Sequence, residues 1–249
     1  MRMKDDYMRN GQLKPGYNLQ FSTQHQFVVN YSIHNNPTDT LTYIPHLKEI
    51  NQLYPGYLKN TCADSGYGSE ENYEFLKQES LTPFVKYNYF HKEQQKGSKA
   101  YTEFSPANLF YNEETDTYYC PMGQAMSLKC RRKEKSASGY EKTLHIYEAK
   151  NCNFCPLRGA CHKSKHNRQI QVNHRLNELR NEAKELLTSD EGLKHRSQRP
   201  VDVEASFGNL KHNKNFKRFL LRGKEKVELE IGLLALAINL KKMHKMKSA

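Results

Sequence analysis

Two acidic residues stand where carboxylates could hold divalent metal ions. Asp64 ends a short strand-like run, Tyr57–Ala63, and directly precedes a loop that contains glycine. In open α/β sheets, ligands bind at the carboxyl ends of strands, so an acid at this position is well placed for a site. The alternative interpretation of Asp64 is a turn aspartate that bonds its own backbone.

Glu204 is the second candidate acid, on a helix that the spacing predicts over about 201–212. It lies at the edge of an apolar stripe that includes Phe207, one turn before Gly208. A small residue one turn along leaves room beside the carboxylate for a bulky partner such as a phosphate backbone. Taken alone, Glu204 also fits a solvated helix residue.

Five of the 6 cysteines fall in one short stretch, which is typical of metal binding in a cytosolic chain. A CxxC pair presents two thiolates to one tetrahedral ion, and two further cysteines complete a structural Zn²⁺ site. The predicted ligands are Cys120, Cys152, Cys155 and Cys161, with Cys130 and His162 as spare candidates. A thiol redox centre and reduced, metal-free thiols are the alternatives.

Composition limits the kinds of partner. The 249 residues carry a net charge of +12 with a mean hydropathy of −0.92. The absence of a long apolar run excludes a membrane protein, and the polar N-terminus lacks the apolar stretch of a signal peptide. The basic charge indicates a polyanionic partner, nucleic acid above all. We therefore expect a cytoplasmic protein that binds no membrane.

The elements that must position these residues follow the order β-β-α-β-α-β, which predicts an α/β layered sheet. The first two strands, 17–24 and 27–34, are close enough to form an antiparallel hairpin. From about residue 88 to 170 the periodicity weakens, which indicates an insertion held by something other than an apolar core. A helix over 227–243, apolar nearly all round, is expected to be buried.

Two segments together resemble a known family. ADSGYGSEENYEFL, from residue 63, and VEASFGNLKHNKNFKRFLLRGKEKVELEIGLLALAINLKK, from residue 203, are similar to bacterial insertion-sequence transposases. NGQLKPGYNLQF and the NPTDT at 36–40 add to the resemblance, which covers essentially the whole chain. These enzymes have an RNase H-like DDE domain. The resemblance implies three parts: core residues 1–87, a Cys-rich insertion 88–170, and the C-terminal helical part of the core 171–249.

The resemblance implies metal-dependent DNA cleavage and strand transfer at the ends of an insertion sequence. Asp64 corresponds to the second catalytic Asp, which ends a strand before a Gly-Tyr loop, and Glu204 corresponds to the catalytic Glu. Such acids hold Mg²⁺ or Mn²⁺ in two-metal displacement at phosphorus. The expected partners are terminal-repeat and target DNA and a second copy in a homodimer, in a bacterial, nucleoid-associated setting. The predicted DNA-binding residues are Arg199, Lys211, Lys214, Lys217, Arg218 and Arg222, whose alternative interpretation is a solvated basic face.

The sequence departs from the family at the first catalytic Asp. In the family that residue lies on the first, central strand of the sheet, before the region that resembles the start of this chain. Asp5 and Asp6 sit among polar residues without a strand pattern. Ser197 and Pro200 stand where related enzymes often have Tyr and Arg before the Glu. We therefore expect the C-terminal part of a transposase, with two of three catalytic acids and without the first central strand.

Two other functions fit part of the sequence. A non-catalytic DNA-binding remnant of the fold could interfere with an intact transposase. A zinc-ribbon-like binding module unrelated to transposition leaves the Asp64 and Glu204 motifs unexplained. A basic run at 129–135, beside the cysteines, is interpreted either as a DNA contact or as a solvated loop.

Overall fold

The computed structural model describes residues 16–95, 101–208, 210, 216 and 218–248. The chain divides into two compact units. Unit one comprises Met1–Asn88 and Ala183–Ala249, and unit two comprises residues 89–182. Both α-helices and β-strands occur, in agreement with the predicted α/β class. Within the described residues, no helix has the length and apolar content needed to cross a membrane.

Unit one begins with the predicted hairpin, β1 (Asn18–Gln24) and β2 (Phe27–His34), which pair antiparallel. The two-residue turn, His25 and Gln26, has positive φ at both positions, as in the tight turns that match strand twist. This confirms the hairpin.

A helix–strand–helix–strand segment follows in the predicted order. Its elements are α1 (Tyr43–Leu53), β3 (Asn60–Ala63), α2 (Glu70–Gln78) and β4 (Thr82–Val85). Strands β3 and β4 pair in parallel and form a sheet separate from the β1–β2 hairpin. Ser69 caps α2, because its side-chain oxygen accepts a hydrogen bond from the Asn72 amide.

Helices complete unit one. α5 (His174–Thr188) starts in unit two and is followed by α6 (Asp190–Arg199), a π-helical turn (Pro200–Glu204), α7 (Ala205–Gly208) and α8 (Lys224–Lys247). The apolar core combines the β1–β2 hairpin with one face of α8, through Phe21, Val28, Ile33, Leu210, Val227, Ile231, Ala235 and Ile238.

The expectation that α8 is buried all round is wrong. Val227, Ile231, Ala235 and Ile238 are buried, whereas Leu229, Leu233, Leu236 and Leu240 are 54–60% exposed. A helix on a two-stranded hairpin has only one face to bury within unit one, so its other apolar side chains remain at the surface.

Unit two contains a five-stranded antiparallel sheet in sequential order. Its strands are β5 (Phe110–Asn112), β6 (Thr117–Tyr119), β7 (Ala125–Lys135), β8 (Glu141–Ala149) and β9 (Gln169–Val172), and its short helices are α3 (Phe90–Gln94) and α4 (Arg158–Cys161). The expectation that this segment lacks an apolar core is wrong. One face of the sheet buries Tyr118, Met126, Tyr147, Ala149, Cys152, Ile170 and Val172.

Candidate functional site

Asp64 lies directly after β3, at the carboxyl end of the parallel β3–β4 pair. It caps a short 3₁₀ turn, Ser65–Tyr67, and its carboxylate accepts a hydrogen bond of 2.9 Å from the Ser65 amide. This is the backbone-bonding role of a turn aspartate. The second carboxylate oxygen, Oδ2, points to Arg199 at 3.8 Å, and the Asp64 side chain is 52% exposed. Asp64 therefore shapes its own turn and also presents an accessible carboxylate.

Glu204 ends the π-helical turn between α6 and α7. Arg199, the last residue of α6, directly precedes this turn. Its Nη1 donates to Glu204 Oε1 at 3.1 Å, and its Nη2 lies 3.8 Å from Asp64 Oδ2. The two acids, 140 positions apart (204 minus 64), are therefore joined by one guanidinium. π-Helical turns inside helices occur frequently at functional sites.

Packing brings these helices to the strands. The Phe84 ring of β4 lies 4.4 Å from the His195 ring of α6, measured between centroids. Phe207 of α7 stacks on Phe21 of β1 at 4.8 Å. Because α6 and α7 are fixed on two different sheets of unit one, Arg199 and Glu204 are held beside the end of β3.

Lys86 is a second cation at the site, which sequence reasoning did not find. It follows β4 directly, its Nζ lies 3.8 Å from Asp64 Oδ1, and its side chain is 11% exposed. The Arg199 side chain is 13% exposed. The sequence could have indicated Lys86, because it follows β4 directly and the carboxyl ends of neighbouring parallel strands meet at one edge of a sheet. Two largely buried cations thus face the two exposed acids.

A cavity of about 1020 Å³ in unit one lies between the two separate sheets. Residues of β1 and of β3 both line it, together with Asp39, Tyr67 and Arg199. Asp39 accepts hydrogen bonds from Asn18 (2.8 Å) and Gln20 through Oδ1. Burial, followed by the negative charge of Asp39, raises the pKa of the Tyr67 phenol above its ordinary value. Polar side chains from several elements therefore lie around the carboxyl end of β3.

Two glycines set the space around the acids. A Cβ atom on Gly68 would lie 2.4 Å from the carbonyl oxygen of Lys86, so this loop position must have no side chain. A Cβ atom on Gly208 would meet no described atom within 4 Å. The free space inferred beside Glu204 for a phosphate backbone stays a prediction.

The other predicted DNA-binding residues lie partly outside the described chain. Arg218 and Arg222 are exposed and precede α8. Lys211, Lys214 and Lys217, like Asp5 and Asp6, lie outside the described residues.

Arg168 contacts two of the four predicted zinc ligands in unit two. Burial raises the pKa of the Cys161 thiol above its ordinary value, and the thiols of Cys120 and Cys152 add a smaller increase. The guanidinium of Arg168 donates to Cys161 Sγ at 3.0 Å, and the Arg168 amide donates to Cys152 Sγ at 3.3 Å. Arg168 is 6% exposed, so a buried cation stands against the thiols.

His162 follows Cys161 and has two buried ring nitrogens without a hydrogen-bond partner among the described residues. Cys155 bonds the Cys152 carbonyl through its amide at 3.5 Å, as in a CxxC turn. Cys130, the other spare candidate, is exposed on β7. Within the described part of the chain, no three His, Cys, Asp or Glu side chains are arranged to hold a metal ion. The thiols have the chemistry of a zinc site, but Arg168 stands among them.

Comparison with known proteins identifies the chain. The family model described as transposase DDE domain matches residues 119–244, about half of the chain, and includes Glu204 and the cysteine cluster. Asp64 precedes the matched range. No curated protein and no solved structure matches the chain. Domains of this family generally use a divalent metal such as Mg²⁺, and transposases act on DNA. The chain belongs to the family of transposases with a DDE domain.

Proposed function

We propose that the chain cleaves and joins DNA at the ends of an insertion sequence, with Asp64 and Glu204 as metal-holding acids. The observation that carries the proposal is the Arg199 guanidinium, which contacts both carboxylates. Exposed carboxylate oxygens are the donors that Mg²⁺ and Mn²⁺ prefer, so the chemistry of the two acids fits such an ion. The two described acids are one fewer than the three of a DDE set.

Asp64 and Glu204 would hold divalent ions at this site, and such ions would supply charge stabilisation for displacement at phosphorus. The protein's own residues orient the acids. Arg199 and Lys86 hold Asp64 from two sides, and Arg199 also fixes Glu204. A guanidinium has five N–H donors, so Arg199 can hold both acids and still donate to a phosphate. We propose that Arg199 contacts DNA. The other proposed DNA-binding residues are Lys211, Lys214, Lys217, Arg218 and Arg222.

We further infer that one additional strand, which carries the first acid, pairs within the cavity between β1 and β3. Both strands line this cavity, and each belongs to a two-stranded sheet that can extend by one partner. A strand between them would join the two sheets into one mixed sheet, with its end beside Asp64. We propose an RNase H-like core on this basis, and the division into 1–87, 88–170 and 171–249 stays a prediction.

The test of the acidic site is excision of the element. The gene is placed on a plasmid with its flanking genomic DNA, and excised junctions are quantified by amplification. We expect Asp64→Ala and Glu204→Ala each to lower excision by at least about a hundredfold, because a metal ligand is lost. DNA binding by the purified chain should not change.

Glu228→Ala is the matched control. Glu228 is a partly exposed acid of α8 that pairs with Lys224 at 3.8 Å, so its loss should leave excision intact. Excision that survives both site substitutions would refute the assignment. If the purified chain binds DNA but excision stays absent with the natural residues, the alternative is supported: a non-catalytic DNA-binding protein that interferes with an intact transposase.

We also propose a structural Zn²⁺ ion bound by Cys120, Cys152, Cys155 and Cys161. Two observations support it: Arg168 bonds the sulfur atoms of both Cys152 and Cys161, and the neighbouring His162 ring has no hydrogen-bond partner among the described residues. Zinc in this place requires the Arg168 side chain to leave Cys161. We expect about one zinc per chain by elemental analysis, and loss of that zinc in Cys152→Ser. The control Cys62→Ser should keep its zinc, and a wild-type chain without zinc would contradict the proposal.

A homodimer is the proposed assembly. The exposed leucines of α8, with Met243, recur at alternating spacings of four and three residues, as in the seam of a paired helix. A second copy could cover this stripe.

A further inference from the structure

We propose that the β7–β8 hairpin is an arm that binds duplex DNA in the major groove. The basic ribbon is defined as residues 131–135 of β7, residues 141–145 of β8 and the turn 136–140 between them. The inference rests on the proposed function only in taking DNA as the partner. The ribbon belongs to unit two and shares no residue with the acidic site.

The ribbon extends beyond the rest of its sheet. β6 pairs with β7 only at residues 125–127, and β9 pairs with β8 only at residues 145–148. Between Arg131 and Lys135, β7 has β8 as its one strand partner among the described residues. Five residue pairs at about 3.4 Å each give a two-stranded ribbon roughly 17 Å long before the turn. The major groove of B-DNA, about 12 Å wide, admits such a ribbon.

The tip of the ribbon is compact and internally hydrogen-bonded. Its residues are Ser136, Ala137, Ser138, Gly139 and Tyr140, of which the first four have small side chains. Ser136 bonds Tyr140 twice: its amide donates to the Tyr140 carbonyl at 2.9 Å, and its hydroxyl accepts from the Tyr140 amide at 3.1 Å. Gly139 has a φ of +88°, which only glycine adopts readily. A slim, internally bonded tip can enter a groove without rearrangement.

The cations concentrate on one face of the ribbon. Because side chains alternate along a strand, Arg131, Lys133 and Lys135 share a face. Glu141 is the acid on this face, and it lies 3.8 Å from Lys133 and 3.1 Å from Lys135. One carboxylate cannot neutralise both lysines, and exposed ion pairs of this kind contribute little. The side chains of Lys133 and Lys135 are 78% and 70% exposed, so this face presents net positive charge to solvent.

The base of the ribbon is anchored in unit two. The Tyr147 hydroxyl donates to Asp116 at 2.5 Å and lies 2.7 Å from His174 Nε2. Tyr111 donates to the same Asp116 oxygen at 2.8 Å. This partly buried network holds β8 close to the point where the ribbon begins.

The test is DNA affinity of the full chain, measured by fluorescence anisotropy with a labelled random-sequence duplex of about 20 base pairs, roughly two turns of groove. EDTA is present, so the result does not depend on metal or on cleavage. The variant R131Q/K133Q/K135Q should bind about tenfold more weakly near 100 mM salt. The slope of log K against log salt should become shallower by up to about 0.9 for each lost phosphate contact.

The matched control is K150Q/K163Q/K165Q, which removes the same charge from exposed positions of unit two outside the ribbon. It should bind within about twofold of wild type, and circular dichroism checks that both variants fold. Equal loss in both variants would overturn the proposal, because net charge alone would then explain the binding. A wild-type chain that binds no duplex would also overturn it. Duplex RNA should compete poorly, since its major groove is narrow, and equal competition would rule out groove entry.

D64A and E204A should bind this duplex as wild type does. Failure of the acidic site therefore appears as lost excision with intact binding, and failure of the ribbon appears in the anisotropy assay alone.

Discussion

Arg199 and Lys86 are largely buried cations whose charges face two exposed carboxylates at the end of β3. The arrangement orients Asp64 and Glu204 before any other partner arrives. The positive charge of the Arg199 guanidinium also offsets the repulsion between the two carboxylates. Asp64 and Glu204 therefore share the Arg199 guanidinium as an ion-pair partner.

The His46 side chain leads to a prediction of pH-dependent stability. It is 5% exposed, and its ring nitrogens bond the hydroxyls of Ser22 (2.8 Å) and Ser32 (2.6 Å). Burial, and to a lesser degree the nearby His34, lowers the pKa of His46 to about 4. In the unfolded chain its pKa is about 6.5, so the unfolded state takes up a proton first as the pH falls.

The stabilisation is therefore complete above about pH 6.5 and is lost as the pH falls towards 4, by about 3 kcal/mol at most. Urea unfolding measures it. Between about pH 7 and pH 4.5, wild type should lose more free energy of unfolding than His46→Gln. Equal pH dependence of wild type and His46→Gln would contradict the prediction.

At the scale of elements, α8 stabilises the hairpin of unit one. The Asn239 side chain bonds both the amide and the carbonyl of Val28 at 2.9 Å, so it replaces a missing strand partner. Val227 and Ile231 are fully buried against β1 and β2. A two-stranded hairpin is marginally stable by itself, so the packed helix supplies what the sheet lacks.

Ile231→Ala should therefore lower the free energy of unfolding by about 2–5 kcal/mol, because it leaves a cavity in the core between α8 and the hairpin. Met246→Ala, on the same helix at a position that is 62% exposed, should change stability by less than about 0.5 kcal/mol. Urea unfolding of both variants checks the difference. Similar losses in the two variants would show that α8 does not form this core.

At the scale of the whole molecule, the apolar stripe of α8 has no partner within the described chain that buries it. Leu229, Leu233, Leu236, Leu240 and Met243 are 46–60% exposed. Single exposed leucines are ordinary, but a contiguous patch of several hundred Å² marks an interaction site. A stable dimer buries about 800 Å² on each partner, so the stripe would form the centre of an interface rather than all of it.

If a second copy covers this stripe, Leu233→Lys together with Leu236→Lys should convert a dimer to a monomer. Sedimentation velocity measures the change. Leu193→Lys, at an isolated position of α6 that is 50% exposed, should leave the dimer intact. A wild-type chain that remains monomeric at high concentration would contradict the homodimer.

Several features could be predicted from local sequence. The hairpin follows from two β-rich runs separated by two residues, and the start of α2 follows from Ser69 and the acids after it. The acid at the end of β3 follows from a strand pattern that stops at a glycine-containing loop. Such features depend on neighbouring residues, whose spacing is read directly along the chain.

The apolar core of unit two was not predictable in the same way. Its buried residues come from four strands, β6 to β9, and from Cys152 after β8, and the sheet forms only when β5 to β9 align. The exposure of one face of α8 was also not predicted, because the composition of a helix does not show how many of its faces pack against other elements.

The sequence by itself determined the family motifs, the order of the elements up to β4, and which residue types could hold metal or DNA. Only the tertiary structure decided that Arg199 joins Asp64 to Glu204, that Lys86 lies beside Asp64, and that Arg168 stands against the cysteines. The difference arises from the separation along the chain between the residues that interact. Capping, turns and periodicity act over a few residues, whereas these contacts require distant segments to pack on one another.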